Sequence, residues 1–303
     1  MRILLCAFFL FVSALAFAQD SSNYSTTELI YGRKDGLALT MLKLSPKQHS
    51  NGKAIISLLS GNWVSGYSMT ATGIRRSATY ISNGYTVFLV MHGSQPRYAI
   101  PDEISDVKRA IRFIRYNATA YAIDSSHIGI TGSSSGGHLS LMAALSDDKI
   151  NTSAADPVDR VSSRVQAAAV FFPPTDFLNW GAANTGVNKQ MIIRARVAGA
   201  FDFKQKNDVT GVFETITNDS INLATAKVIS PIYSVSSDDP PVMIIHGDAD
   251  PVVPLQQSQS IIQKLKEASV PNEFIIKPGG SHGWRDMEVE EKKFVSWFDK
   301  WLK

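Results

Sequence analysis

Three adjacent serines lie between glycines in the stretch GSSSGGH at 132–138. A serine nucleophile on a sharp strand-to-helix turn needs small residues two positions before it and two positions after it, because larger side chains clash with the strained backbone. Ser134 has Gly132 and Gly136 at these positions, and neither of the other two serines has glycine at both. We therefore predict that Ser134 is a nucleophile and that the backbone amide of Ser135 binds the oxyanion of a tetrahedral intermediate.

Two other interpretations of this stretch compete with a nucleophile. A phosphate-binding loop would have a third glycine in place of Ser134, or a lysine followed by serine or threonine, and the stretch has neither. A flexible turn is the simpler alternative, since glycine and serine favour turns. The apolar run HIGIT before the stretch and the helix-forming HLSLMAAL within and after it favour a strand–turn–helix unit instead.

A serine hydroxyl needs a neighbouring base before it can attack a carbonyl carbon. Of the six histidines in the sequence, His246 and His282 follow the serines at a distance along the chain, and the other four are assigned to structural or surface positions. His282 lies in the glycine-rich stretch KPGGSHGW, directly after a predicted strand, so we predict it as the base. His246 ends another predicted strand and is expected to pack near the site.

Two aspartates, Asp248 and Asp250, follow in the stretch VMIIHGDADPVVP. We favour Asp250 as the partner of the histidine, because it lies deeper in the turn and the prolines after it hold the loop rigid; Asp248 is the alternative. The chain order Ser134, Asp250, His282 is that of a serine–acid–histidine triad on a mostly parallel sheet. No further ligand accompanies the two aspartates, so we predict no metal and no cofactor.

A second oxyanion donor is expected on the loop after the first predicted strand, in SLLSGNWVSGY. We predict the backbone amides of Gly61 and Asn62 as donors. Trp63 is predicted as a wall that faces the substrate, and Trp284, close to the predicted base, as a second substrate-binding residue. The alternatives are an ordinary Gly-Asn turn and aromatic side chains that belong to the core.

Short apolar runs alternate with amphipathic segments over most of the chain, which predicts an α/β fold with a mostly parallel sheet and helices on both faces. Sites on such sheets form beyond the carboxyl ends of the strands, where the predicted triad residues lie. Residues 177–235 separate two strands by far more than an ordinary connection, which predicts a cap-like excursion; an insertion without a role in binding is the alternative. The predicted strands are 54–59, 86–91, 128–131, 167–172, 242–245 and 273–277, and the predicted helices are 104–116, 137–145, 255–268 and 289–302.

The composition is that of a globular protein, since 44% of the 303 residues are hydrophobic and 19% are charged. We therefore expect a single α/β domain over 19–303. The formal net charge is +3 and no run of five like charges occurs. We therefore predict no nucleic-acid partner.

The N-terminal stretch MRILLCAFFLFVSALAFAQD contains one arginine, then an apolar run, and then a small-x-small pattern that ends at Ala18. This is the pattern of a signal peptide, so residues 1–18 are predicted to be removed and the protein to be exported, periplasmic or secreted. The run is shorter than the roughly 20 residues of a membrane span, which predicts no span in the mature chain; a retained anchor is the alternative. Cys6 is the one cysteine in the sequence and would leave with this segment, so disulfide and thiol chemistry are not expected.

Four stretches resemble the α/β-hydrolase superfamily: SGNW, DVKRAIRFIRYNATAYAIDSSHIGITGSSSGGHLSLMAA, HGDADPVVP and GGSHGW. The resemblance is to the esterase/lipase branch related to prolyl-oligopeptidase-like hydrolases and bacterial acetyl and feruloyl esterases, and it spans roughly residues 50–302. It implies an α/β-hydrolase fold with Ser134, Asp250 and His282 as the triad. The sequence departs from the family at 59–63, where relatives have His-Gly-Gly-Gly-Trp and this chain has LSGNW, and this departure affects the oxyanion donors.

The resemblance implies a serine carboxylesterase that works through an acyl-enzyme, with acetyl or feruloyl esters of plant polysaccharides as substrates, and the N-terminal pattern predicts that it is exported. The expected partner is a small ester or an esterified carbohydrate, and the oligomeric state is left open. A prolyl-oligopeptidase-like serine peptidase is one alternative; such peptidases carry a large N-terminal propeller, whereas only residues 19–53 lie between the predicted cleavage site and the first predicted strand. A non-catalytic binding protein is the other alternative, which the three filled triad positions disfavour.

Overall fold

The structure, a computed structural model, describes residues 23–187 and 189–303. The predicted signal peptide at 1–18 lies outside the described residues and stays a prediction. The described strands are β1 (Tyr24–Lys34), β2 (Leu37–Pro46), β3 (Ala54–Leu58), β4 (Thr86–Val90), β5 (Ile128–Ser133), β6 (Ala167–Phe171), β7 (Lys204–Lys206), β8 (Phe213–Thr215), β9 (Val242–Gly247) and β10 (Asn272–Lys277).

Eight of these strands form one sheet in the order β1-β2-β4-β3-β5-β6-β9-β10, and β7 and β8 form a separate small hairpin. The β1–β2 and β2–β4 pairs are antiparallel, and the remaining neighbours in the large sheet are parallel. The six predicted strands are β3 to β6, β9 and β10. Every residue of β4 and of β6 is buried, because helices cover both faces of a parallel sheet. The prediction of a mostly parallel sheet is confirmed.

Helices pack on both faces of the sheet, as predicted. One apolar cluster contains side chains of α2, α3 and α6, and a second cluster on the opposite face contains side chains of α1 and α7. The hairpin β1–β2 and the helix α1 were not predicted from the sequence. The described helices are α1 (Thr70–Ser82), α2 (Ile100–Tyr116), α3 (Ser135–Leu145), α4 (Lys189–Arg194), α5 (Asp219–Val228), α6 (Leu255–Glu267) and α7 (Met287–Trp301).

The excursion at 177–235 contains α4, the β7–β8 hairpin and α5. It packs against the loops that follow β3 and β4, at the carboxyl ends of these strands. The side-chain amide of Asn62 donates to the carbonyl of Ala195 at 3.3 Å, and that of Gln95 donates to the carbonyl of Arg196 at 2.9 Å. The excursion therefore lies at the edge of the sheet where the predicted site residues are, as expected of a cap.

Trp63 joins this cap to the sheet, and the prediction that it faces the substrate is wrong. Its side chain is buried with only 6% of the residue exposed, and its ring contacts the rings of Phe177 and Phe201 at centroid distances of 5.9 and 5.5 Å. The indole Nε1 donates to Nδ1 of His138 at 3.2 Å, and Nε2 of His138 donates to the carbonyl of Ile229 at 2.7 Å. Trp63 is a core residue because the cap supplies the apolar surface that covers it.

This arrangement requires a neutral His138, and burial lowers the pKa of His138 from 6.5 to about 4. The unfolded chain takes up the proton near its ordinary pKa, whereas the folded chain resists protonation until about pH 4. Stability from this histidine is therefore fully present above the unfolded pKa and is lost as the pH falls towards the folded pKa, by roughly 3 kcal/mol in total.

We predict that the unfolding free energy of the protein decreases between about pH 7 and pH 4, and that His138→Gln makes this decrease shallower because it removes the titrating ring. Urea denaturation followed by tryptophan fluorescence at a series of pH values measures both slopes. Equal slopes in the two proteins would contradict the prediction.

Candidate active site

Ser134 is the single residue between β5, which ends at Ser133, and α3, which begins at Ser135. Its backbone has φ 54° and ψ −122°, a conformation that residues with a side chain rarely adopt and that marks functional sites. The turn closes because Gly132 has no side chain: a Cβ there would lie 2.5 Å from the carbonyl carbon and oxygen of Gly136. The glycine spacing seen in the sequence is therefore a steric requirement of this turn.

The structure brings the three predicted triad residues together. Nε2 of His282 lies 2.9 Å from Oγ of Ser134, and Nδ1 of His282 lies 2.8 Å from Oδ2 of Asp250. Because a carboxylate oxygen can only accept, Nδ1 carries the hydrogen and Nε2 presents a lone pair to the serine hydroxyl. Each of the three lies on the segment after a parallel strand, β5, β9 and β10 respectively. This arrangement can remove a proton from Ser134 as the hydroxyl attacks.

The carboxylate of Asp250 is held by hydrogen bonds to both oxygens. Oδ1 accepts from the amides of Val252 and Val253 at 2.8 and 3.0 Å, and Oδ2 accepts from His282. Burial by itself raises the pKa of Asp250, but the hydrogen bonds from His246, His282 and the two amides outweigh it and hold that pKa well below its usual range. Asp250 is therefore ionised and remains a hydrogen-bond acceptor for the imidazole.

Asp248, the alternative acid, has a different environment. It is exposed, and its Oδ1 accepts from the backbone amide of Gly279 at 2.6 Å, which ties together the loops after β9 and β10. Asp248 thus stabilises the loop that carries His282, and Asp250 is the aspartate that contacts the imidazole.

A second histidine, His246, contacts the carboxylate of Asp250. The sequence had indicated only that His246 packs near the site. His246 is fully buried, and its Nε2 lies 3.3 Å from Oδ2 of Asp250 and 3.0 Å from the carbonyl of Val253. Since both neighbours are acceptors, Nε2 carries the hydrogen, and Nδ1 is left to accept from the hydroxyl of Ser258 at 2.7 Å. The two acceptors at Nε2 therefore fix the tautomer in which His246 donates to Asp250, and Ser258 on α6 supplies the donor that Nδ1 needs.

The ring of Phe172 packs on His282 from the carboxyl end of β6. The two ring centroids are 4.5 Å apart at an angle of 49°, and Phe172 itself has a positive φ of 33°. Nothing in the sequence indicates this contact, because Phe172 looks like the last residue of an apolar strand. Its ring restricts the orientation of the imidazole.

The predicted oxyanion donors differ in their availability. The amides of Ser135 and Asn62 have no hydrogen-bond partner among residues 23–187 and 189–303, whereas the amide of Gly61 already donates to the carbonyl of Val64 at 3.0 Å. The two segments are held together by a hydrogen bond of 3.0 Å between the hydroxyls of Ser60 and Ser135. Of the two candidates after β3, Asn62 rather than Gly61 has an amide free to bind an oxyanion.

Trp284 lies two residues after His282 and is half-buried. Its Nε1 donates to Oε2 of Glu290 at 2.9 Å, and its ring meets those of Phe171 and Phe172 edge-on at 5.9 and 6.0 Å. These contacts fix the ring next to the loop of the base, and a contact of Trp284 with substrate stays a prediction.

The part of the chain that the structure describes contains no group of three or more histidine, cysteine, aspartate or glutamate residues arranged to hold a metal ion. None of its helices is long and apolar enough to cross a membrane.

The sheet order, the strained serine turn and the Ser134–His282–Asp250 chain of hydrogen bonds define an α/β-hydrolase. Within this superfamily, the model of the BD-FAE family matches residues 42–265. The chain belongs to the BD-FAE family.

Curated relatives of the chain include two proteins of Mycobacterium tuberculosis. It is 30% identical to the probable carboxylic ester hydrolase LipM over 191 residues, and this match covers 61% of this chain and 38% of LipM. It is 32% identical to the esterase LipQ over 189 residues, and this match covers 61% of this chain and 39% of LipQ. The chain thus spans about two fifths of the length of these relatives.

Among solved structures, a truncated form of a carbohydrate esterase from gut microbiota is similar to this chain with a TM-score of 0.71 and 27% sequence identity. The similarity covers 92% of this chain and 98% of that one. A bifunctional GH43-CE protein of Bacteroides eggerthii has a TM-score of 0.70 and 28% identity, over 90% of this chain and 38% of that protein.

We predict that Asp250→Asn lowers kcat on an ester substrate by about 10³-fold or more, because an amide in place of the carboxylate favours the wrong tautomer of His282. Asp248→Asn, the matched variant two residues away, should lower kcat by less than about tenfold, since its carboxylate bonds a loop amide and not the imidazole. Steady-state kinetics on both variants measures the two losses. A larger loss for Asp248→Asn would reverse the assignment of the acid.

We also predict that Ser258→Ala lowers kcat by roughly threefold to tenfold with little change in KM, because Nδ1 of the buried His246 loses its donor and the ring that donates to Asp250 is held less firmly. Ser260→Ala, on the same helix, is the control, since Ser260 bonds Gln256 instead. Steady-state kinetics on an ester substrate measures both variants, and equal kcat values in Ser258→Ala and Ser260→Ala would contradict a role of Ser258 at the active site.

Proposed function

We propose that the protein is an exported serine carboxylesterase that hydrolyses ester bonds through an acyl-enzyme on Ser134. The observation that carries this proposal is the pair of hydrogen bonds of 2.9 and 2.8 Å that link Ser134 through His282 to Asp250. The similarity to LipM and LipQ, which are a probable carboxylic ester hydrolase and an esterase, supports ester bonds as the target.

In the first half of the reaction, Oγ of Ser134 attacks the carbonyl carbon of the ester while Nε2 of His282 takes the hydroxyl proton. The carbonyl oxygen becomes an oxyanion, to which the amides of Ser135 and Asn62 donate. The C–O bond to the alcohol then breaks, and His282 delivers its proton to the departing oxygen. The acyl group is left on Ser134.

In the second half, water replaces the alcohol. His282 takes a proton from the water as the water oxygen attacks the acyl carbon, and the oxyanion forms again. The bond from that carbon to Oγ of Ser134 breaks, the serine regains its proton from His282, and the carboxylic acid leaves. Throughout, Asp250 accepts from Nδ1 and stabilises the imidazolium.

The proposed substrates are acetyl or feruloyl esters of plant polysaccharides. Support comes from the 27% identity to a carbohydrate esterase from gut microbiota and from the match to endo-1,4-beta-xylanase B of Butyrivibrio fibrisolvens, which is 23% identical over 76% of this chain and 32% of that protein. Export to the periplasm or beyond is proposed from the N-terminal pattern of an arginine, an apolar run and a small-x-small site.

A serine peptidase is the second candidate. The chain is 22% identical over 275 residues to an acylamino-acid-releasing enzyme of Arabidopsis thaliana, and this match covers 32% of that protein. The same triad can cleave amides, so the ratio of ester to amide cleavage distinguishes the two functions.

We predict that the wild-type protein hydrolyses p-nitrophenyl acetate with a kcat/KM far above that for a dipeptidyl p-nitroanilide, and that Ser134→Ala abolishes ester hydrolysis without changing the fold. Circular dichroism and the thermal midpoint report the fold, and released p-nitrophenol reports the activity. Ser133→Ala is the matched control, and it should retain ester hydrolysis because Ser133 does not contact His282. Faster turnover of the anilide would favour the peptidase, and an active Ser134→Ala would contradict the mechanism.

A further inference from the structure

A crevice of about 300 Å³ lies beside the serine turn, on the face of the sheet that carries α1 and α7. Its lining includes Gly132 and Ser133, the two residues before Ser134, and Ser60, which precedes the oxyanion candidates. Met69 at the crevice also lies against the oxyanion loop, since a Cβ on Gly61 would be 3.7 Å from its methyl carbon. The crevice therefore reaches the segments on both sides of the point where an ester carbonyl would react.

The lining of this crevice is rich in hydroxyl groups. Ser57, Ser60, Ser68, Thr72, Ser77 and Ser133 contribute them. The hydroxyls of Ser60, Thr72 and Ser77 already bond protein groups, whereas those of Ser57, Ser68 and Ser133 have no partner among the described residues. An aliphatic chain in the crevice would leave these three hydroxyls unbonded, which costs free energy, whereas a hydroxylated ligand can bond them. The composition of the lining thus indicates a polar ligand.

Arg76 on α1 is the strongest hydrogen-bond donor in the lining. Its Nε donates to Oε1 of Glu291 at 2.8 Å, its Nη2 lies 3.7 Å from the sulfur of Met287, and its guanidinium lies 5.9 Å from the ring centroid of Phe171. Nη1 has no partner among residues 23–187 and 189–303, and 36% of the side chain is exposed. One edge of the guanidinium is fixed by protein, and the other is free to bind a ligand.

Glu291 holds Arg76 in this orientation. Its side chain is 4% exposed, and its Oε2 has no hydrogen-bond partner among the described residues. A buried carboxylate with one unbonded oxygen is costly, and the pair is a weak source of stability. The pair also brings no net charge into the crevice, which favours a neutral ligand over an anionic one.

A larger groove, of about 1120 Å³, lies between β1, α2 and the cap. Neither lining contains a triad residue, but that of the crevice contains Ser133, next to Ser134, and that of the groove contains no sequence neighbour of a triad residue. Most of the cationic side chains of the groove are paired with acids already, as Arg109 is with Asp156 and Asp159; Arg33 is the exception among the described residues. Proximity to Ser134 therefore distinguishes the smaller crevice from the groove.

We propose that the crevice binds the sugar residue that carries the ester, on the alcohol side of the bond, and that the free edge of Arg76 donates to a hydroxyl of this sugar. The volume is at the lower end of small-molecule sites, which are about 300–1,000 Å³, and it suits one monosaccharide unit. This inference rests on the proposed esterase function and adds to it a residue that selects a carbohydrate ester over a simple one.

The test compares two acetyl esters, a mono-O-acetylated methyl xyloside and p-nitrophenyl acetate, which share an acyl group and differ in the alcohol. Arg76→Gln should lower the ratio of kcat/KM for the xyloside to kcat/KM for p-nitrophenyl acetate by about tenfold or more, mainly through KM. Arg75→Gln is the matched control: Arg75 is the neighbouring residue on α1, is exposed, and bonds Thr72 at 3.0 Å, so the ratio should stay at the wild-type value.

Arg76→Gln leaves the buried Glu291 without its cation, so a second variant, Arg76→Gln with Glu291→Gln, removes both charges and keeps the fold. It should show the same fall in the ratio. An unchanged ratio in both variants, or an equal fall in Arg75→Gln, would overturn the crevice proposal while leaving the esterase intact. Failure of the wild-type protein to hydrolyse either ester would instead contradict the proposed function.

Discussion

The site depends on one constraint, the left-handed backbone of Ser134 in the turn between β5 and α3. Its φ of 54° is maintained because the strand, the helix and the neighbouring strand all hold the turn. The amide of Ser134 donates to the carbonyl of Phe171 on β6 at 3.0 Å, and its carbonyl accepts from the amide of His138 on α3 at 2.9 Å. Gly132 lets the chain approach Gly136 across the turn, and Gly136 lets it approach the carbonyl of Leu58 on β3. The turn thereby presents the hydroxyl beyond the sheet edge and leaves the amide of Ser135 without a partner among residues 23–187 and 189–303.

The rest of the site follows from the topology of the sheet. Strands β5, β6 and β9 are neighbours and β10 pairs with β9, so their carboxyl ends bring Ser134, Phe172, Asp250 and His282 together although they are far apart in the sequence. A continuous chain of hydrogen bonds then runs from Ser258 on α6 through His246, Asp250 and His282 to Ser134. Asp250 fixes the hydrogen position on both histidines, since a carboxylate only accepts, and each histidine then accepts from the serine that it contacts. The chain of bonds thereby connects a helix on one face of the sheet to the base at its edge.

Much of the fold and of the active site could be predicted from the sequence, because the patterns that indicate them are steric or strongly apolar. The buried parallel strands appear as continuous apolar runs, and the glycine spacing selects Ser134 among three serines. The preference for Asp250 over Asp248 agrees with the contact that the structure shows. The hairpin β1–β2 was not predicted because it is antiparallel at the sheet edge, where β1 is mostly exposed and mixes polar with apolar residues. Helix α1 has small and polar residues over much of its length, which weakens its apolar periodicity.

Other features depend on long-range packing, which the sequence does not display. Nothing near Trp63 indicates that Phe177 and Phe201 of the cap cover it, so an aromatic residue beside the oxyanion loop was placed in the substrate site. The bond between the amide of Gly61 and the carbonyl of Val64 arises from the fold of one loop. The crevice at Arg76 joins residues 215 positions apart, since Arg76 is on α1 and Glu291 on α7.

The central claim is that Ser134, and neither of the serines beside it, forms a covalent bond to the substrate. The most direct measurement treats the protein with a p-nitrophenyl phosphonate ester, in which an attacking serine oxygen bonds phosphorus and releases p-nitrophenolate, and locates the adduct by mass spectrometry of proteolytic peptides. The account predicts one adduct per chain, on Ser134. An adduct on Ser133, on Ser135 or at another position, or no adduct with an enzyme that still hydrolyses esters, would contradict it.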